Sequence, residues 1–305
     1  MQVELESAER LSFTDGSPVR AASAVARLGT GFLIAQDDAT HAAWRRDTGV
    51  EPLRLFAPID GHDVFDEASG TKDLKPDLEA ACVVEVDGVP GVLLLGSGSS
   101  PLRMRSALVR LHAGEPHVAT ADLTPLYGVV GDALGVDADA LNMEGACVIG
   151  DVLRWFHRGL PSAGLPSGSV DLELAAALAA AVGAGSAGDV AVSDVRSYDL
   201  GEVEGVGLAV TDAVALADGA VLVSAAAEDA PNARDDGPVV GAALVRIEDR
   251  DVTGHAVLPQ LEGQVCKVEG LTLLEQDEAG VRVLGVVDAD DPSAPSRAVR
   301  FRVTW

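Results

Sequence analysis

Residues 144–158 read EGACVIGDVLRWFHR. A glutamate precedes a short apolar run, Gly150 and Asp151 follow it, and a second apolar run ends in a His-Arg pair. Two such runs separated by turn residues are typical of a β-hairpin. The stretch therefore predicts two antiparallel strands, with a carboxylate where the first begins and basic residues where the second ends.

The same pattern occurs five times along the chain. Each copy has a short polar or acidic residue, an apolar run, a turn containing Gly or Asp, a second apolar run and a polar cluster. The copies span residues 23–38, 79–100, 144–158, 211–229 and 269–291. A unit repeated at regular intervals of this length indicates a repeat architecture such as a propeller.

Further strand candidates follow four of the hairpins, which gives four strands in each repeat. They cover residues 41–44, 53–56, 106–113, 117–120, 169–172, 196–200, 241–247 and 255–258. After the fifth hairpin only residues 297–305 remain, and residues 2–13 supply the missing strand. Radial repetition with closure in this way solves the edge-strand problem of an all-β chain. The sequence therefore predicts an all-β, five-bladed β-propeller with four-stranded blades, closed by its N-terminal strand, as a single domain over residues 1–305.

Short helical insertions and loops are predicted between some of the strands. Residues 123–134 place apolar side chains at helical spacing behind Asp122, which we expect to be the N-cap. Residues 172–185 are alanine-rich and end in glycines, and they predict a second helix. The Gly-, Pro- and Asp-rich residues 161–169 and 228–237 predict loops.

Composition excludes several classes of partner. The chain has 305 residues, a formal net charge of −26 and 48% hydrophobic residues, so it can form a core but offers no basic face to nucleic acid or anionic membranes. Three widely spaced cysteines predict buried thiols rather than disulfides. The charged N-terminus and the shortness of the apolar runs indicate neither a signal peptide nor a membrane span. We expect a cytoplasmic bacterial protein that is a monomer or a small homo-oligomer.

The first residue of each repeat is a candidate metal ligand. In a propeller the first strand of each blade lines the central channel, so equivalent residues converge on the axis. These axial positions are Ser23, Glu79, Glu144, Thr211 (or its neighbour Asp212) and Glu269. Converging carboxylates repel each other unless a cation is present, and a hard divalent ion prefers oxygen ligands. The repeat therefore predicts a calcium site on the axis, with magnesium as the alternative.

The polar clusters at the ends of the second strands predict a reaction site beside that metal. The clusters include Asp37, Asp38, Ser97, Ser99, Ser100, His157, Arg158, Glu228, Asp288, Asp290 and Asp291. Asp37, Asp38 and Glu228 are candidates to orient or deprotonate a water, and His157 and Arg158 complete the candidate catalytic set. Arg103, Arg105 and Ser99 are candidates to bind the oxygens of an anionic substrate. The alternatives are ion pairs for the arginines and packing beside Trp155 for His157.

The chain resembles the calcium-activated nucleotidases (apyrases). The similarity lies in the stretch 144–158, in VEGL at 268–271, in IAQDDAT at 34–40 and in SAAAED at 224–229. It implies a five-bladed propeller with calcium in the central tunnel and one Ser or Glu from each blade, in the order Ser, Glu, Glu, Ser, Glu. The positions that match are Ser23, Glu79, Glu144, Thr211 and Glu269, with Asp212 competing in the fourth blade. The chain departs from the family at Ala39, which replaces a motif arginine, and in having no secretory leader. The repeats are also similar to bacterial propellers related to phytase-like esterases.

Two functions are compatible with these patterns. The first is a calcium-binding propeller that acts as a metal-dependent hydrolase on small anionic substrates containing phosphate or ester groups. The alternative is a non-catalytic propeller whose ion is structural and whose loops bind a ligand or a protein. A five-bladed glycosidase is a third possibility, but an aromatic content of 4% disfavours a cleft in which sugars stack.

Overall fold

The computed structural model describes residues 1–229, 237–288 and 294–305. These residues form five antiparallel sheets. The N-terminal strand is β1 (Gln2–Arg10). Blade 1 contains β2 (Ala22–Leu28), β3 (Gly31–Gln36), β4 (His41–Arg46) and β5 (Gly49–Arg54). Blade 2 contains β6 (Leu78–Val86), β7 (Val89–Gly96), β8 (Arg105–His112) and β9 (Glu115–Asp122).

The other blades follow the same plan. Blade 3 contains β10 (Met143–Ile149), β11 (Val152–His157), β12 (Ser167–Glu173) and β13 (Val192–Tyr198). Blade 4 contains β14 (Glu202–Val203), β15 (Val206–Ala215), β16 (Val221–Glu228), β17 (Val239–Glu248) and β18 (Asp251–Val257). Blade 5 contains β19 (Val268–Asp277), β20 (Gly280–Val287) and β21 (Arg297–Thr304). The predicted five-bladed β-propeller is confirmed.

The N-terminal strand completes the last blade. Strand β1 pairs antiparallel with β21, from Gln2 opposite Thr304 to Arg10 opposite Arg297, and the order in this sheet is β1-β21-β20-β19. The first and last strands of the chain are thus hydrogen-bonded to each other. The predicted closure of the ring by the N-terminal strand is confirmed.

The inner strands β2, β6, β10, β15 and β19 form a ring around the axis, and each one contacts the next, with β19 contacting β2. Glycine permits the closest of these approaches. A Cβ atom on Gly145 would lie 2.4 Å from the nitrogen of Ala213, and one on Gly270 would lie 2.6 Å from the Cα of Ala24. The glycine after the axial glutamate in blades 3 and 5 is therefore required by packing.

The hydrophobic core lies between neighbouring blades. Each of the five blade interfaces contains its own cluster of buried apolar side chains. The interface of blades 2 and 3 also takes in two helices, α1 (Thr124–Leu134) and α2 (Leu174–Ala181). There Tyr127 of α1 packs edge-on against Trp155, with 4.9 Å between ring centroids. The helical insertions thus fill the space between two blades.

Some predicted boundaries differ from the structure. The second helix begins two residues later than predicted. Leu172 is a buried strand residue opposite Leu153, and the side chain of Glu173 caps the helix. The N-cap of α1 is Leu123 rather than Asp122, although Asp122 accepts a hydrogen bond of 2.8 Å from the nitrogen of Thr124.

Strand β5 begins at Gly49 because it pairs with β4 through a tight turn, so it overlaps only the start of the predicted strand 53–56. Residues 167–169 of the predicted loop 161–169 belong to β12, and the short strand β14 was not predicted. In the predicted loop 228–237, residues 230–236 lie outside the described residues. The three cysteines are free and buried, as predicted. In the described parts of the chain, no helix is both long and apolar enough to cross a membrane.

Candidate functional site

The five axial positions share a local structure that the sequence does not show. Each inner strand contains a β-bulge where its pairing with the second strand of the hairpin shifts register. The residues within these shifts are Ser23, Glu79, Glu144 with Gly145, Thr211 and Glu269. A bulge leaves one residue unpaired and redirects its side chain. The shift in blade 4 makes Thr211, rather than Asp212, the structural equivalent of the other four.

A polar pocket of about 120 Å³ lies where the inner strands begin. Four of the axial residues line it: Ser23, Glu79, Glu144 and Glu269. The remaining polar lining residues are Asp37, Lys72, Lys75, Asp77, Ser99, Arg103, Asn142, Arg158, Lys267 and Asp288. The structure thus brings most of the predicted residues together at one end of the channel.

On the side of blades 1 and 2, the pocket is organised around the buried Asp77. Its carboxylate forms ion pairs with Lys75 at 2.6 Å and with Arg103 at 3.0 Å, and it accepts a hydrogen bond from Ser97. Lys75 also forms an ion pair with Asp37. Arg103 donates to the hydroxyl of Ser99 at 2.9 Å. Arg103 and Ser99, two predicted substrate-binding residues, are therefore part of this network.

Three carboxylates on this side form a compact cluster, because oxygens of Asp37, Asp77 and Glu79 lie within 4.8 Å of one another. Burial raises the pKa of Glu79 well above its ordinary value, and the charges of Asp77 and Glu144 raise it further. Burial also raises the pKa of Asp37, and Lys75 opposes this only in part. For Asp77, burial is outweighed by Lys75 and Arg103, so its pKa is lowered. With all three carboxylates ionised, the cluster has one more negative charge than Lys75 and Arg103 compensate, and the raised pKa of Glu79 reflects this excess together with burial.

On the side of blades 3 to 5, the pocket is organised around Glu228. This carboxylate forms ion pairs with Arg158 at 2.6 Å and with Lys267 at 3.2 Å. Lys267 lies 2.8 Å from Glu269, and Arg158 lies 3.8 Å from Glu144. Burial raises the pKa of Glu228, but Arg158 and Lys267 outweigh it and lower the pKa overall.

Glu144 is the most deeply buried of the three axial glutamates. Its Oε1 accepts a hydrogen bond of 2.9 Å from Asn142. Burial raises its pKa to about 8, partly opposed by Arg158 and reinforced by Glu269. Glu144 is therefore largely protonated at neutral pH, which suits a group that donates or accepts a proton.

The hydroxyls of Ser23 and Thr211 connect neighbouring inner strands. Ser23 donates to the carbonyl of Leu78 at 2.5 Å, and Thr211 donates to the carbonyl of Val268 at 2.6 Å. In both cases the acceptor residue immediately precedes the axial glutamate of the next blade. Among the described residues that line the pocket, neither Thr211 nor Asp212 is present.

The carboxylate of Asp212 accepts hydrogen bonds from the backbone nitrogens of Leu271 and Ala213, at 2.6 and 2.8 Å. Asp212 thus bridges blades 4 and 5. The predicted five-residue calcium ring remains a prediction.

The other predicted site residues lie beside the pocket or away from it. Asp38 is 3.4 Å from Arg20, and burial together with Asp37 raises its pKa to about 7. His157 is buried, its Nε2 lies 3.1 Å from the carbonyl oxygen of Ala140, and burial lowers its pKa.

Arg105 lies in a separate groove of about 260 Å³, with its guanidinium 5.3 Å from the ring centroid of Phe56. Asp288 accepts hydrogen bonds from the nitrogen of Ala21 at 3.0 Å and from Ser296 at 2.7 Å. Asp290 and Asp291 lie outside the described residues.

Several pocket residues were not predicted, although the sequence contains a pattern that points to them. Asp77, Asn142 and Lys267 each stand two positions before an axial glutamate. Side chains two positions apart in an extended chain point to the same side. A polar residue at that position therefore predicts a second layer of channel-facing groups. Lys75 has no such signal, because the positive φ of 56° at Asp77 interrupts the extended chain after it.

The donor chemistry of the carboxylate cluster fits a hard cation. Asp37, Asp77 and Glu79 offer oxygen atoms alone, from adjacent blades, and calcium and magnesium both prefer such ligands. Burial is the largest cause of the raised pKa of Glu79, and a divalent ion here would compensate the further increase that Asp77 and Glu144 cause.

Comparison with known proteins gives one family and several similar folds. A family model described as a family of unknown function (DUF6910) matches residues 71–292. No curated protein matches the sequence. A mannose phosphorylase from Leishmania mexicana is 13% identical, with a TM-score of 0.47 over 99% of this chain and 89% of its own.

Two arabinofuranosidases have similar folds. PaAbf62A from Podospora anserina is 10% identical, with a TM-score of 0.46 over 96% of this chain and 94% of its own. The catalytic domain of a GH62 enzyme from Coprinopsis cinerea is 8% identical, with a TM-score of 0.42 over 96% of this chain and 95% of its own. These similarities concern the fold alone.

Proposed function

The chain belongs to DUF6910, a family of unknown function, and we propose that it is a metal-dependent hydrolase of small anionic substrates. The observation that carries this proposal is the cluster of Asp37, Asp77 and Glu79, which line a polar pocket and whose oxygens lie within 4.8 Å of one another. Calcium is the first candidate ion, because the ligands come from two blades and a connecting segment, and magnesium is the second. When bound, a divalent ion supplies Lewis acidity and lowers the pKa of a coordinated water.

The residues of the opposite side supply the remaining functions. Arg158 and Lys267 both face the pocket, and their positive charges can attract the oxygens of a phosphate or carboxyl ester. Both are already oriented by Glu228, so little side-chain order has to be gained when an anion binds. The anionic group of the substrate would lie between these side chains and the carboxylate cluster.

Glu144 is the proposed proton donor. Its Oε1 is occupied by the amide of Asn142, which leaves Oε2 to carry the proton. A carboxyl group with a pKa of about 8 retains that proton near neutral pH. Protonation of a leaving-group oxygen by such a carboxyl is a common form of general acid catalysis.

The test combines ion binding with turnover. Thermal unfolding of chelator-treated protein is followed during titration with calcium and then magnesium, for the wild type, Glu79→Gln and Glu85→Gln. Glu85 is exposed on the same strand as Glu79, so it is a control matched for charge. At about 100 times its dissociation constant, a bound ion adds about 2.7 kcal/mol of stability. We expect this increase in the wild type and in Glu85→Gln, and its loss in Glu79→Gln.

Turnover is then measured with p-nitrophenyl phosphate and p-nitrophenyl acetate. Hydrolysis of either compound that requires the ion and is lost in Glu144→Gln supports the hydrolase. Ion binding without turnover of phosphate or carboxyl esters favours the alternative, a non-catalytic propeller with a structural ion. A wild type that responds to neither ion contradicts the proposal.

A further inference from the structure

The carboxylate cluster contains a cation that belongs to the chain itself. The ammonium group of Lys75 lies 2.6 Å from Oδ1 of Asp77 and also contacts Oδ2 of Asp37. Its side chain is only 14% exposed. The negative charge of Glu79 acts on it as well. Lys75 thus interacts with all three carboxylates to which we assign the divalent ion.

The oxygens that Lys75 uses are those that remain available for an ion. Oδ2 of Asp77 is already bound by Arg103 at 3.0 Å and by Ser97, whereas Oδ1 faces Lys75. Asp77 therefore keeps its position if the ammonium group leaves. A divalent ion and an ammonium group cannot share these two oxygens, because like charges at such distances repel strongly.

The position of Lys75 in the chain allows it to leave. It follows the short 3-10 turn Lys72–Leu74 and precedes Pro76, so it lies in the connection between blades rather than in a strand. Its flexible four-carbon side chain can move the ammonium group by rotation about single bonds. The strands that position Asp37 and Glu79 do not have to move.

We propose that Lys75 is a tethered cation that competes with the divalent ion for Asp37 and Asp77. This inference rests on the proposed function, because it assumes that the cluster binds an ion. In the absence of the ion, Lys75 stabilises the cluster. Ion binding displaces the ammonium group, so Lys75 raises the ion concentration at which the site is half filled.

The test compares calcium affinities measured by isothermal titration calorimetry on the full chain. The variants are Lys75→Met, which removes the ammonium group, and Lys72→Met. Lys72 also lines the pocket but pairs with Glu67 at 2.8 Å, so it controls for the loss of one positive charge nearby. We expect Lys75→Met to bind calcium at least about tenfold more tightly than the wild type, and Lys72→Met to stay within about threefold. If Lys75→Met does not fold, Lys75→Gln provides the same comparison with a polar side chain.

The outcomes separate the two proposals. Equal calcium affinities of the wild type and Lys75→Met overturn the competition and leave the ion site intact. An equal increase in affinity in both lysine variants also overturns it, since the effect is then one of general charge. Binding in Lys75→Met alone, with none in the wild type, supports competition in its strongest form. No binding of calcium or magnesium in any variant overturns both the inference and the proposed function.

Discussion

Substitution of Glu144 by glutamine tests how burial in the pocket changes the ionisation of this carboxyl group. Burial raises the pKa of this carboxyl from 4.5 to about 8, partly opposed by Arg158 and reinforced by Glu269. Glutamine has the same shape and can still accept the hydrogen bond from Asn142, but it does not titrate. The variant therefore isolates the free energy of ionising this one group inside the protein.

The sign of the change in stability follows from the protonation of Glu144 in the folded and in the unfolded chain. Below pH 4.5 Glu144 is protonated in both the folded and the unfolded chain, and above about pH 8 it is ionised in both. Between these values the folded protein keeps a proton that the unfolded chain has lost, so its contribution to the free energy of unfolding falls as pH rises. One proton corresponds to about 1.4 kcal/mol per pH unit, which gives an upper limit of about 5 kcal/mol. Because neighbouring groups titrate together with Glu144, we expect about 2–4 kcal/mol.

The assay is urea unfolding from about pH 5 to about pH 8, for the wild type, Glu144→Gln and the exposed control Glu85→Gln. We expect Glu144→Gln to gain about 2–4 kcal/mol over the wild type as pH rises across this range. Glu85→Gln should follow the wild type. Parallel profiles of the wild type and Glu144→Gln would contradict a raised pKa in the folded protein, because Glu144 would then titrate equally in the folded and unfolded states.

Three further changes test the fold and the site. Gly270→Ala should lower the free energy of unfolding by about 1–3 kcal/mol, because its Cβ would lie 2.6 Å from the Cα of Ala24. Gly128→Ala, which has open space around it, should not destabilise the protein, and urea unfolding measures both variants. Arg158→Met removes the closer of two cations from the buried Glu228 and should cost about 3 kcal/mol, measured in the same way. Deletion of residues 1–10 removes β1 and leaves β21 as an open edge, so the Tm measured by circular dichroism should fall by about 10 °C or more. An unchanged Tm would mean that the ring does not depend on β1.

The repeat could be predicted because it is encoded locally. Each hairpin combines apolar runs with turn residues, and the four-strand repeat predicted that residues 2–13 pair with residues 297–305 in the last blade. The bulges were not predictable in the same way, since a register shift depends on how the two strands of a hairpin pair. They explain why Thr211, and not the acidic Asp212 beside it, occupies the fourth axial position. The position of Arg105 in a separate groove likewise depends on tertiary packing against Phe56.

The two sides of the pocket have the same construction but differ in how closely their carboxylates lie together. In each, a buried carboxylate lies between a lysine and an arginine; these groups are Lys75–Asp77–Arg103 and Lys267–Glu228–Arg158. The first group has two further carboxylates within reach, Asp37 and Glu79. The second has Glu269, which Lys267 pairs, and Glu144, whose pKa of about 8 leaves it largely neutral near pH 7. Burial also raises the pKa of Glu79 on the first side well above its ordinary value, so the two sides differ in geometry rather than in charge. Only the first side is shown to bring oxygens of three carboxylates within 4.8 Å of one another, and this favours a cation there.

With the cation on the first side, electrostatics links the binding of the ion to the binding of the anion. An ion held by Asp37, Asp77 and Glu79 lowers the pKa of Glu79 and makes the first side less negative. An anionic substrate then meets less repulsion from that side while Arg158 and Lys267 attract it from the other. If Lys75 is displaced by the ion, its ammonium group adds a positive charge on the pocket side of the cluster. Ion binding should thus increase the affinity for the anion, and by thermodynamic linkage the anion should increase the affinity for the ion by the same factor.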